Sequence, residues 1–157
     1  MSSTDGGRDD VHRDRLPCAV VGYDAFVTVR WSDMDAFQHI NHARMVTLLE
    51  EARIDWLLSE GSENSSLITS AFIADIHVRY RGQLRHSDSP LRVTMWIAKH
   101  RAVDFTIGYE VRGARTPITD PPAVTATTQM AVADVDAQRL RRITPTEREY
   151  LARWSRT

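Results

Sequence analysis

The sequence predicts an α+β domain, with one long helix packed on one face of an antiparallel sheet. Three observations carry this. A single run, "NHARMVTLLEEARIDWLLSEG", repeats its apolar residues at helical spacing. The remaining apolar residues alternate with polar ones at period two, as in strands with one buried face. The chain, at 157 residues, is long enough for one core and too short for two comfortable ones.

The elements follow in order. Residues 1–17 mix Gly, Ser, Asp and Arg without periodicity and read as a disordered tail, which leaves 18–157 as one domain. "AFVTVRW" alternates Ala25, Val27, Val29 and Trp31 against Phe26, Thr28 and Arg30, which predicts a strand ending near Trp31. In the helical run, Met45, Leu48, Leu49, Ala52 and Trp56 share one face, and Glu50, Glu51 and Arg53 point largely away from it. Asn41 is the expected N-cap and Gly61 the expected stop. The helix is about 18 residues, roughly 27 Å long.

Four further strands are expected. "AFIADIHVRYRG" sets Phe72, Ala74, Ile76, Val78 and Tyr80 in one phase, and "LRVTMWIAKH" does the same for Leu91, Val93, Met95 and Ile97. "VDFTIGYEVR" and "AVTATTQMAVADV" follow, separated by the Gly- and Pro-rich loop "GARTPITDPP". The second and third strands, like the fourth and fifth, are sequential neighbours, for which antiparallel pairing is the default. Thr144 and Glu147 form a capping box with Pro145 at the first helical position, so a short terminal helix is expected.

Composition narrows the function classes. A net charge of -1 gives no basic excess for nucleic acid or an anionic membrane surface. No apolar run approaches the roughly 20 residues of a membrane span. The charged N-terminus is unlike a secretory signal, so a cytoplasmic location is expected. The single cysteine, Cys18, permits no internal disulfide and reads as a small apolar filler.

Chemistry is concentrated in "RWSDMDAFQHINHARM", Arg30 to Met45. This stretch hangs its polar groups beside a helix N-terminus, which offers unpaired N–H groups and the positive end of the macrodipole. An acyl oxyanion suits that position, and a nearby carboxylate can attack the acyl carbon or activate water. Such a small set suits a thioester, because its thiol leaving group has a pKa of about 8.5 and needs little acid help. It is meagre for a peptidase.

"VRWSDMDAFQHINHARMVTLLEEARIDWL" closely resembles the hotdog-fold acyl-CoA thioesterases of the 4-hydroxybenzoyl-CoA thioesterase type, and especially bacterial long-chain acyl-CoA thioesterases. The resemblance is strongest over residues 27–57 and weaker through the strands to about 150. It implies a hotdog fold, hydrolysis of acyl-CoA to free acid and CoA, and a place in lipid metabolism. It implies that Asp35 is the catalytic carboxylate, as base or nucleophile, and that the backbone N–H of His42 is the oxyanion donor. Gln38 falls at a family position, often Gly or Gln, that helps to hold thioester or water. Asp33 reads as a loop or cap residue, and His39 and Asn41 as residues that order the turn into the helix. Glu50 and Glu51 match the helix glutamate of another hotdog branch, but their phase faces them outward. "HINH" with "DMD" does not assure ligand geometry, and no metal is expected.

The resemblance also implies that Lys99, His100 and Arg101, at a hairpin in "AKHRAVDF", meet the coenzyme's phosphates. Coenzyme A is then part of the substrate, and no separate cofactor is expected. Arg79, Arg81 and Arg85 form a second basic set. In "HSDSP", Ser87 stands where the family has glycine, so this turn departs from the pattern. Exposed edges of so small a sheet call for a partner. Hotdog proteins pair sheets edge to edge with sites at the interface, which implies a homodimer or a homotetramer. The competing reading is a non-catalytic acyl-CoA sensor on the same fold, which would not need the carboxylate. A hotdog dehydratase is disfavoured because its His–Asp helix motif is missing.

Overall fold

The computed structural model describes residues 22–59 and 65–156. The expected tail, Cys18 and Gly61 lie outside these. The chain forms β1 (Tyr23–Val27), α1 (His42–Ser59), α2 (Ser65–Ser70), β2 (Ala71–Tyr80), β3 (Leu91–His100), β4 (Asp104–Gly113), β5 (Val124–Asp134), β6 (Arg139–Leu140) and α3 (Pro145–Arg153). This is the α+β, hotdog-type arrangement that the sequence predicts. An antiparallel sheet of order β1-β3-β4-β5-β2, with β6 on β5, curls around one long helix.

The helical periodicity explains the packing. Met45, Leu48, Leu49, Ala52 and Trp56 are all buried and meet Val93, Met95, Ile107, Tyr109 and Val111 from the sheet in one core. Each of the larger aliphatic side chains removed from water is worth about 2 kcal/mol. Trp56 also stacks on Tyr23 at 6.0 Å and meets Trp154, beyond α3, edge-on at 5.6 Å. The C-terminal segment is thereby tied to the central helix.

Several expectations change. The first strand ends at Val27, because Trp31–Asp33 coil into a 3₁₀ turn that begins the polar loop. In β2 a bulge between Ile73 and Asp75 flips the phase, so Ile73 opposes Met130 while Phe72 opposes Ala131 on the other face. Pairing also departs from the neighbour rule. β2 lies against β5 rather than β3, because the connection 81–90 is long enough to cross the ends of two strands. Arg53, expected to point away, is buried at 5% exposure. Its stem lies along the core while its guanidinium donates to Tyr109 Oη at 3.3 Å and pairs with Glu50 at 3.7 Å. Short α2 and β6 carry no clear periodicity and were not expected.

The Thr144–Glu147 capping box forms, with Pro145 in the first turn of α3. Among the described residues, no helix is long and apolar enough to cross a membrane.

Candidate active site

The loop between β1 and α1 is closed at its base by Asp33. Its carboxylate accepts from the Arg30 N–H at 2.7 Å, and its carbonyl accepts from the Asn41 N–H at 2.8 Å. One buried residue therefore fixes both the exit of the strand and the entry to the helix. Asn41 completes that entry, its Oδ1 accepting from the Ala43 N–H at 2.8 Å.

Within this base, residues 34–40 make a miniature hairpin. Met34 bridges Ile40, and the Asp35 N–H donates to the His39 carbonyl at 2.8 Å. Gln38, whose N–H donates to the Asp35 carbonyl, turns the chain with a left-handed φ of 62°. That conformation accounts for a position that glycine also suits. The Gln38 side chain is exposed.

Asp35 is half-buried, and its two oxygens differ. Oδ1 accepts from the Phe37 N–H at 2.9 Å and the His39 N–H at 3.1 Å. Oδ2 has no hydrogen-bond partner among the described residues. Two amides thus lock the carboxylate's rotation and leave one oxygen open. His42 is the first residue of α1, so its N–H lies among the early amides that lack an intrahelical acceptor. Tyr80 on β2 holds this end in place, its hydroxyl donating to the His42 carbonyl at 2.8 Å. Desolvation raises the pKa of that hydroxyl, which keeps it a proton donor.

The structure sets Asp35 and Gln38 in the hairpin of residues 34–40 and His42 just beyond it at the start of α1, with Asp33, His39 and Asn41 as the framework. It does not bring Lys99, His100 and Arg101 there. Register places His100 level with Phe105, Met130 and Ile73. Tyr80, beside the helix N-terminus, is level with Val124, Val111 and Val93. Ile73 and Tyr80 are separated by seven positions, about 23 Å along β2. Lys99 and Arg101 are exposed, and His100 is half-buried with Nδ1 unpartnered among the described residues. Glu50 is exposed and Glu51 half-buried, with Glu51 3.5 Å from Arg30.

A groove of about 520 Å³ opens between α1 and the start of β2, lined by Ile54, Leu57, Leu58, Leu67, Phe72 and Ile73, with Arg53 in one wall. Four of these apolar residues, Ile54, Leu58, Phe72 and Ile73, are 44–63% exposed. Nothing in the residue pattern announces this groove, because the bulge in β2 creates half of it. Tyr80 was likewise invisible as an anchor, since its contact spans 38 positions. Among the described residues, no group of three or more His, Cys, Asp or Glu is arranged to hold a metal ion.

The fold has known counterparts. The family model described as the thioesterase-like superfamily matches residues 29–153. No curated protein matches the chain in sequence. Among solved structures, a predicted thioesterase from Bacillus stearothermophilus is similar, with a TM-score of 0.72 at 17% identity, over 87% of this chain and 98% of that one. A thioesterase from Thermus thermophilus, complexed with coenzyme A and Zn, has a TM-score of 0.68 at 16% identity, over 82% of this chain and 90% of that one. A DHNA-CoA thioesterase from Staphylococcus aureus has a TM-score of 0.68 at 18% identity, over 85% and 88% respectively. At these identities the likeness is one of fold.

Proposed function

The chain belongs to the thioesterase-like superfamily, which supports thioester hydrolysis as its general chemistry, and from this premise we propose that it hydrolyses acyl-CoA to free acid and CoA. The observation that carries the reading is the Asp35 carboxylate, locked through Oδ1 and open at Oδ2, in the turn that leads into α1. Oδ2 acts on the acyl carbon as nucleophile, or takes a proton from the water that attacks it. The His42 N–H, at the positive end of α1, donates to the developing oxyanion. Collapse of that oxyanion expels the coenzyme's thiolate, a good leaving group. Gln38 lies at the turn where thioester or water is held.

In this reading the carrier and the acyl group engage a second subunit. The ten-residue β2 has a neighbour only on its β5 side among the described strands. Antiparallel pairing of two β2 edges about a twofold axis places opposite ends of the two sheets side by side. Lys99, His100 and Arg101 of the partner subunit then stand level with this subunit's Tyr80 and His42. The partner's apolar groove comes to the same level, where an acyl chain can enter. This supports a homodimer as the working unit, with a homotetramer open to it through the outer sheet faces. That the Thermus thermophilus structure holds coenzyme A supports the same carrier here.

Asp35→Asn tests the reading. The amide can still accept the two loop N–H groups but supplies neither base nor nucleophile. In a thiol-release assay on a panel of acyl-CoA substrates, turnover is expected to fall about a thousandfold, with unchanged circular dichroism and oligomeric mass. Turnover within tenfold of the parent would refute the assignment.

A further inference from the structure

Building on the acyl-CoA reading, we propose that Trp31, backed by His86 and served by the arginines of the 81–90 connection, Arg81 and Arg85, is a stacking platform for the adenine nucleotide end of the substrate. The first observation is an aromatic side chain in an unusual position. Trp31 is 73% exposed, yet its indole is not loose. One face is covered by the His86 ring, with centroids 4.5 Å apart and planes inclined by 16°. Both rings stand on capped 3₁₀ turns. Asp33 caps the turn of Trp31. The turn of His86 is capped by Asp88, whose Oδ2 accepts from the Arg85 N–H at 2.8 Å. The turns are also clamped to the Asp35 loop. The His86 N–H donates to Met34 Sδ at 3.4 Å, and the Ile40 N–H donates to the Leu84 carbonyl at 2.8 Å. A flat apolar ring is thus held in place with its second face toward solvent.

The surroundings select the kind of ligand. Arg30, Ser32, Arg85 and Ser87, the residues beside the two rings in sequence, are exposed and polar, so the open indole face has a hydrophilic surround. Arg81 and Arg85 are exposed and have no ion-pair partner among the described residues. Arg30 differs, being paired with Glu51 at 3.5 Å. An open aromatic face with free guanidinium groups matches a purine carrying phosphates, since every base offers a π-face and phosphates seek guanidinium donors.

Position agrees. Trp31 is four residues from Asp35, so the chain separates them by at most about 14 Å. A ligand seated at Asp35 is therefore within reach of Trp31. The basic hairpin of the same subunit lies at the far end of the sheet, whereas this platform accompanies each Asp35 within its own chain.

The test uses the full-length protein and two substrates, an acyl-CoA and the same acyl group on N-acetylcysteamine, which lacks the nucleotide. In Trp31→Ala, the ratio of kcat/KM for the CoA substrate to that for the truncated one is expected to fall about tenfold. The double variant Arg81→Ala/Arg85→Ala is expected to lower the ratio similarly and to reduce its dependence on salt. A ratio within twofold of the parent in both variants overturns the proposal. Calorimetric titration with ADP reads the platform without hydrolysis, and Trp31→Ala is expected to bind ADP about tenfold more weakly. If the parent hydrolyses neither thioester, the hydrolase reading fails and the titration still decides the platform, with equal ADP affinities overturning it. A change of oligomeric mass in Trp31→Ala would place Trp31 in a subunit contact and overturn the proposal.

Discussion

Glu147 is a polar residue whose replacement should cost stability well away from the active-site loop. It is 2% exposed, and it gathers four donors. Arg141 donates through Nη1 at 2.9 Å and Nη2 at 2.7 Å, the Ser66 hydroxyl at 2.7 Å, and the Thr144 N–H at 2.8 Å. Burial by itself raises the pKa of this carboxyl. The hydrogen bonds from Arg141, Thr144 and Ser66, with the charge of Arg141, outweigh it and bring the value from 4.5 to about 2. The same bond raises the pKa of Arg141. At about 1.4 kcal/mol per unit, this depression corresponds to about 3 kcal/mol of folding free energy. The sign follows from the direction. A depressed folded-state pKa gives stability that is present above 4.5 and is lost as pH falls toward 2. Glu147→Gln removes the charge and leaves Arg141 without its counterion. Urea unfolding at pH 7 should show a loss of about 3 kcal/mol, or roughly 6–12 °C in Tm for a domain of this size. The gap between parent and variant should narrow between about pH 4.5 and pH 2, where the parent's own carboxyl protonates. A loss below about 0.5 kcal/mol at neutral pH, or a gap of constant size down to the acid limit, would refute the reasoning. Function enters through α2, because Ser66 joins this network and Leu67 beside it lines the apolar groove.

Two further outcomes are expected. In Gly108→Ala the new Cβ would stand 2.5 Å from Trp96 Cε2, a ring over which Arg156 packs at 3.6 Å. Overpacking of this kind costs about 1–3 kcal/mol, and a variant as stable as the parent in urea would show that Trp96 moves freely. Exchanging Lys99 and Arg101 for glutamate should raise KM for acyl-CoA about tenfold or more at low salt, with a smaller effect at high salt. KM unchanged at both ionic strengths would remove the hairpin from the carrier's path.

Features that rest on local geometry are legible in the residue order alone. The core face of α1 follows from 3.6-residue periodicity, and Met45, Leu48, Leu49, Ala52 and Trp56 are all buried. The caps at Asn41 and Thr144 follow from side chains that reach amides two or three positions on. The crowding of polar groups between β1 and α1 was visible because the motif that carries the chemistry is contiguous. Whatever depends on residues far apart in the chain was settled by folding. Periodicity could not foresee the bulge that turns Phe72 outward, since a bulge is defined against the opposing strand. Nor could it bury Arg53, whose partner Tyr109 lies 56 positions away. It could not separate Lys99–Arg101 from Asp35 by the length of the sheet, because that distance comes from the register of β2 through β5. Short-range rules fix what a residue does to its own turn of chain. Which open oxygen, ring or cation meets which ligand is set by how the strands are ordered, and only the folded chain holds that information.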